Sequence, residues 1–235
     1  MSIDTNISDL HERIVNSARR VRRNPQEISL MAVTKTVSPD RIREAHEAGV
    51  RIFGENRVQE FAAKEGALRE LTGAEWHMIG HLQSNKTGTA AQLFGFVESL
   101  DSFRIAERLN AAAGKLGKKV LVLIEINIAV EQAKSGVAPD SPELERLLAA
   151  APQFPALDFR GIMTVPPYND DPERSRPYFR KMRALSEQIA SRELPSIRME
   201  TLSMGMSHDF EVAIEEGSTC VRIGTAIFGS RPAKK

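Results

Sequence analysis

Ser29-Leu-Met-Ala-Val-Thr-Lys35 is an apolar run that ends in one amine. A short continuous hydrophobic run reads as a strand buried on both faces, the kind found in parallel sheets. Leu30 and Val33 are its core residues. Lys35 stands at the carboxyl end, where desolvation disfavours the ammonium. Its pKa is expected to fall, which makes the amine a better nucleophile toward carbonyls. Taken alone, the strand better fits a lysine that merely leaves the sheet for water. The rest of the chain decides.

Outward from this run, strands and helices alternate. Ile3, Ile7, Leu10, Ile14, Ala18 and Val21 recur at helical spacing and predict an amphipathic opening helix. Ser38-Pro39-Asp40 supplies a cap, a first-turn proline and a first-turn acid for the helix that ends at Gly49. Strands are predicted at 29–35, 50–54, 75–80, 96–100, 120–128, 159–165, 201–204 and 219–224. Further helices are predicted over 56–71, from Ser102 to Gly117, from Ser141-Pro142, around Phe179, Met182, Leu185 and Ile189, and over 207–216. Parallel strands need such crossovers, and eight units in 235 residues fit one (β/α)8 barrel, a TIM barrel with an additional N-terminal helix that covers its bottom. A doubly wound open sheet would need a glycine-rich turn after strand one, and Thr34-Lys35-Thr36-Val37-Ser38 has none. No linker or repeat divides the chain, so residues 1–235 are read as a single domain.

The formal charge of +1 creates no field that would draw the chain to nucleic acid or membrane. The basic run Arg19-Arg20-Val21-Arg22-Arg23 ends the first helix, where cations suit the helix dipole, and reads as a solvated helix end. One cysteine, Cys220, excludes a disulfide scaffold and points to a reducing compartment. Residues 1–20 hold Asp4, Asp9 and Glu12 with no apolar block, so they are not a signal peptide, and no apolar stretch would span a bilayer. A cytoplasmic protein is expected.

In such a barrel, function gathers at the carboxyl ends of the strands. Those ends carry Lys35, Glu55-Asn56, His81, Asp101, Asn127, Met163, the loop Ser203-Met204-Gly205-Met206-Ser207, and Arg222 to Thr225. The Ser203–Ser207 loop and Gly224-Thr225 follow strands seven and eight, where barrel phosphate sites commonly form. Gly205 permits a sharp turn, and Ser203 and Ser207 offer hydroxyls beside backbone amides. Each segment alone is an ordinary cap. Together they read as an anion cradle. Arg222 is either an ion pair at the rim or a fixed cation aimed at a ring nitrogen or an anion. An amine, a phosphate cradle and an arginine suggest a phosphorylated aldehyde. Pyridoxal 5′-phosphate (PLP) fits, with Lys35 as its Schiff base and Arg222 near its pyridine nitrogen.

His77 and His81 have the spacing of a helical zinc pair, but their segment starts as a strand and breaks at Gly80, and no third ligand clusters with them. A metal site is therefore not expected. His81 is read as a ligand contact or as the residue that orients Asn56, and His77 as a buried, hydrogen-bonded strand residue.

Six segments carry a family resemblance, in order and over nearly the whole chain. They are Ala32-Val-Thr-Lys-Thr36, Phe53-Gly-Glu-Asn-Arg-Val-Gln-Glu60, Trp76-His-Met-Ile-Gly-His-Leu-Gln-Ser-Asn-Lys86, Ala133-Lys-Ser-Gly136, Leu202-Ser-Met-Gly-Met-Ser207 and Val221-Arg-Ile-Gly-Thr-Ala-Ile-Phe-Gly229. The chain resembles the pyridoxal phosphate homeostasis protein family. The resemblance implies a barrel like the N-terminal domain of alanine racemase and bound PLP on Lys35. It also implies a role in carrying, buffering or delivering the cofactor, with PLP-dependent apo-enzymes as recipients. Lys134 falls where the family has a second lysine, a further cofactor contact or a surface lysine; Lys234 and Lys235 are further candidate attachment points. Arg57 stands where a tyrosine is usual, and Thr34 where a serine is usual.

The competing reading is a PLP-dependent racemase or decarboxylase of the same barrel class. Catalytic relatives add a second domain and borrow residues from a partner subunit. This chain is expected to act as a monomer that lacks that domain. A two-base racemase needs a base opposite the lysine, and neither Tyr168 nor Tyr178 is a clear candidate. An arginine at the pyridine nitrogen keeps that nitrogen unprotonated and weakens the ring as an electron sink. Weak or no turnover is expected.

Overall fold

The computed structural model describes residues 2–131 and 134–229. Eight parallel strands close into a barrel in chain order: β1 (Ser29–Val33), β2 (Ile52–Glu55), β3 (Glu75–Met78), β4 (Phe96–Leu100), β5 (Val120–Glu125), β6 (Leu157–Met163), β7 (Ile197–Ser203) and β8 (Cys220–Ile223). β1 closes the ring by pairing with both β2 and β8, with Met31 opposite Ile52 and Arg222. Around the strands lie α1 (Ile3–Arg20), α2 (Pro39–Glu47), α3 (Val58–Lys64), α4 (Thr87–Leu93), α5 (Phe103–Lys115), α6 (Pro142–Ala150), α7 (Arg176–Ala190), α8 (Phe210–Glu215) and α9 (Thr225–Phe228). No helix among the described residues is long and apolar enough to cross a membrane.

The core divides by strand alternation. Leu30, Ala32, Phe53, Val97, Val122, Ile124, Ile162, Val221 and Ile223 are buried in one continuous apolar cluster with the helices. Met31, Leu123 and Met163 are also buried, outside that cluster, as expected for alternate residues turned into the barrel. The interior is therefore not wholly apolar, which matters below.

The expected stripe on α1 is present up to its last member: Ile3, Ile7, Leu10, Ile14 and Ala18 are buried, while Val21 caps the helix and is exposed. Its position differs from the expectation. α1 packs against α2, α8 and α9, so it joins the outer helical layer across the β8–β1 seam rather than covering the barrel bottom. The basic run behind it also does more than meet solvent. Arg20 Nε donates to Glu215, and Arg23 Nη1 donates to the carbonyls of Ile214 and Ser218, tying the end of α1 to the end of α8.

Other boundaries moved for local reasons. β1 stops at Val33, so Thr34 and Lys35 belong to the following turn. The helix predicted over 56–71 becomes α3 and then a 3-10 turn over Glu65–Leu68. β5 ends at Glu125, because Asn127 turns the chain: its side chain donates to the Glu131 carbonyl and accepts from the Glu131 amide. α8 begins at Phe210, after a turn in which Asp209 accepts from the Met206 amide at 2.7 Å. α4 went unread because its buried residues, Thr87, Ala90 and Ala91, are small.

Candidate functional site

Lys35 sits half-buried in a tight turn just past β1. The turn is fixed from three sides. The Val37 amide donates to the Thr34 carbonyl at 3.0 Å, Thr36 takes a left-handed φ of 62°, and the Thr36 amide donates to Glu60 of α3. Beneath it, fully buried Thr34 donates its hydroxyl to Glu55, and Lys64 lies 2.8 Å from the same carboxylate. Lys64 also donates to the Thr34 carbonyl at 2.9 Å. Burial pushes the Glu55 carboxyl above its usual range, and Lys64 and Thr34 oppose that shift.

Arg222 projects from β8 and is 4% exposed. Its Nη1 donates to Ser203 Oγ at 2.6 Å and its Nη2 to the Thr164 carbonyl at 2.6 Å. Ser203 in turn donates to Glu98 at 2.6 Å, and His77 Nδ1 meets the other Glu98 oxygen at 2.8 Å. Burial alone would raise the Glu98 carboxyl, but His77, Arg222 and Ser203 hold it below the carboxylate range. Burial alone would lower His77, yet the carboxylates of Glu75 and Glu98 hold it above the usual histidine range. The interior thus contains a charged relay, His77–Glu98–Ser203–Arg222.

The expectation for Ser203 changes accordingly. Its hydroxyl is fully buried and already engaged on both sides, so it offers nothing to an anion at the rim. The rest of the two-loop segment has a different geometry. Gly205 has φ 95°, and a Cβ there would come within 2.5 Å of Ala213, so only glycine lets α8 pack this close. The Arg222 amide donates to the Gly205 carbonyl, and the fully buried Met204 is tied to Cys220. Ser207 accepts from the Ala226 amide at 3.3 Å, joining the loop after β7 to the start of α9. Among the described residues the Ser207 hydroxyl makes no bond as a donor, which leaves its proton for a ligand. Gly224 and exposed Thr225 complete this side.

Asn56 and His81 lie across the mouth, after β2 and β3. Both line a recess of about 850 Å³ together with Arg57, Glu60, Gly80, Gln83 and Lys86. Gly80 is packed on the Asn56 backbone: a Cβ would stand 2.3 Å from its carbonyl oxygen. Asn56 Oδ1 is buried without a hydrogen-bond partner among the described residues. His81 bonds Asp101 through Nδ1 at 2.9 Å and remains half-exposed. His77 points instead to Glu98, so the two histidines do not converge. Among the described residues no group of three or more His, Cys, Asp or Glu is placed to hold a metal ion.

Three residues escaped the sequence reading. Glu98 and Lys64 gave no signal beyond a lone charge in an apolar strand and a lone cation on a helix. Glu125, at the end of β5, is a carboxyl that burial and then the Asp101 charge push up to about 7, against the pull of Arg222. Its Oε2 is buried without a partner among the described residues. A glutamate closing the apolar run Val120–Ile124 was the available cue. Lys134 pairs with Glu131 at 2.9 Å, while Lys234 and Lys235 lie outside the described residues.

This chain is similar to known proteins over almost all of its length. The family model for the alanine racemase N-terminal domain matches residues 9–232. The pyridoxal phosphate homeostasis protein of Aquifex aeolicus is 44% identical, covering 96% of each chain. That of Escherichia coli K12 is 43% identical over 98% of this chain and 97% of its own. Among solved structures, PipY of Synechococcus elongatus PCC7942 with PLP bound superposes with a TM-score of 0.80 at 35% identity, over 92% of this chain and all of that one. The chain belongs to the pyridoxal phosphate homeostasis protein family, built on the alanine racemase N-terminal barrel.

Proposed function

We propose that this chain binds PLP, holds it as a Schiff base on Lys35, and serves cytoplasmic PLP homeostasis as a monomeric carrier or buffer rather than a catalyst, with apo-enzymes that use the cofactor as its recipients. The observation that supports this reading is that Lys35, Asn56, His81, the Ser203–Ser207 loop and Arg222 to Thr225 all lie at or just past the carboxyl ends of strands in one closed parallel barrel. The cofactor supplies an electrophilic carbonyl when bound. The pinned turn after β1 would present the Lys35 amine to that carbonyl. Ser207 has a hydroxyl proton to donate, and with Gly205, Gly224 and Thr225 it offers the phosphate polar groups from two adjoining loops. Met204, in the same loop, is fully buried. The orphaned Asn56 Oδ1 would accept from the phenolic hydroxyl, and His81 sits at the open side of the same recess. Arg222 would face the pyridine nitrogen. A guanidinium donates a hydrogen bond there but transfers no proton at neutral pH, so the ring is held without being activated.

The test mixes PLP-loaded protein with an apo-enzyme that requires PLP and follows both recovered enzyme activity and cofactor left on the carrier. Matched recovery and loss support a carrier. Full retention of the cofactor, together with amino-acid turnover at ordinary enzyme rates that Lys35→Ala abolishes, would replace the carrier with an enzyme.

A further inference from the structure

The relay inside the barrel has no part in binding the phosphate or the aldehyde, and its cost is high. Glu98 is 1% exposed, His77 4%, Ser203 0% and Arg222 4%. A carboxylate and a guanidinium placed in the core must be closely compensated, since a buried charge left without a partner is strongly destabilising. The structure compensates them with directional bonds. Glu98 receives two of the relay's donors, His77 Nδ1 at 2.8 Å and Ser203 Oγ at 2.6 Å, and the Ser203 lone pair receives Arg222 Nη1 at 2.6 Å. The second arm of Arg222 is fixed by the Thr164 carbonyl, and the Thr164 hydroxyl is itself anchored on the Ile126 carbonyl at 2.7 Å. A guanidinium has five N–H donors in one plane. With both Nη atoms tied, one to Ser203 at the end of β7 and one to Thr164 just past β6, the plane is set, and so is the direction in which the remaining donors point. Apolar packing could fill the same space more cheaply. What it could not do is aim a guanidinium.

We propose that Glu98 and His77 are positioning residues for the pyridine nitrogen of the cofactor, acting through Ser203 on Arg222. This rests on the proposed function above, because it needs PLP in the mouth. The relay originates on β3 and β4, crosses the barrel interior, and ends on β7 and β8. It therefore couples the strands that carry Gly80 and Asp101 at their ends to the ring-nitrogen side of the site. Ser203 is the joint: it is the one neutral member, and removing its hydroxyl cuts the relay without deleting a charge.

The experiment is a binding cycle with PLP and with 1-deazapyridoxal 5′-phosphate, which has a C–H where PLP has the ring nitrogen. Wild type, Ser203→Ala and Glu98→Gln are each titrated with both, and thermal unfolding of each apo protein is recorded alongside. The expected result is that Ser203→Ala and Glu98→Gln weaken PLP about tenfold but the deaza analogue less than about twofold, with the absorption maximum of bound PLP shifted. Ser203→Thr, which keeps the hydroxyl, restores the wild-type preference for PLP. Equal weakening of both ligands would make the relay purely structural and overturn the proposal, as would no change in either. If Glu98→Gln fails to fold, Ser203→Ala alone decides between these outcomes. Wild type that binds neither ligand would instead sink the proposed function, an outcome distinct from equal weakening.

Discussion

Lys64 and Glu55 form an ion pair at 2.8 Å whose carboxylate is fully buried and whose ammonium side chain is 10% exposed, directly beneath the turn that presents Lys35. The pair joins α3 to β2, and Lys64 extends it to the Thr34 carbonyl. Breaking one side of such a pair costs far more than the pair contributes, because a charge is left buried alone.

Lys64→Met is therefore expected to destabilise the fold by about 3 kcal/mol at neutral pH, measured by urea denaturation. The loss shrinks at acid pH, where Glu55 takes up a proton and no longer needs a cation. Adding Glu55→Gln to Lys64→Met recovers part of the stability. A neutral Lys64→Met would mean that the turn before Lys35 is held by its own backbone.

Gly80 tests the other wall of the mouth. A methyl at this position meets the Asn56 carbonyl at 2.3 Å and its Cα at 2.8 Å, and backbone cannot move aside cheaply. Gly80→Ala is expected to displace Asn56 and lower PLP affinity by more than about tenfold, with a stability loss of about 1–3 kcal/mol. Unchanged affinity in a titration followed by absorbance would remove Asn56 from the cofactor site.

The sequence showed the barrel well, because its signals are periodic. The stripe of α1, the β4 span and the proline-started helices α2 and α6 follow from spacing and caps. The rim residues followed from the barrel, since a strand end is a position in space once the strands are known. The relay was less visible. His77 and Glu98 are 21 residues apart and Ser203 lies 105 from Glu98, and no local pattern links side chains that meet only across a closed barrel. Ser203 was misread for the same reason: a serine beside a glycine turn looks like an anion donor until its buried partner is seen.

Glu125 gives a pH dependence with a definite sign. Folding raises its carboxyl from an ordinary 4.5 to about 7, so between those values the folded protein holds a proton that the unfolded chain has lost. Its contribution to stability accordingly falls as pH rises through this window and levels off above it. Glu125→Gln should match wild type near pH 4 and exceed it at pH 8 by on the order of 1–3 kcal/mol, read from unfolding midpoints across pH. Parallel pH curves for the two proteins would contradict this.

Ser207 separates phosphate recognition from ring recognition. Its Oγ joins the two loops by accepting from Ala226, and its proton is the donor left for a ligand. Ser207→Ala is expected to weaken PLP about fivefold to tenfold while leaving pyridoxal, which lacks the phosphate, within about twofold of wild type. Equal losses for both ligands would place the phosphate elsewhere.

The most direct test of the central claim is to saturate the protein with PLP, reduce it with borohydride, digest it and locate the pyridoxyl group by peptide mass mapping. The account predicts one dominant adduct on Lys35, lost in Lys35→Ala. A dominant adduct on Lys134, Lys64 or Lys86, or an adduct that survives Lys35→Ala undiminished, would contradict it.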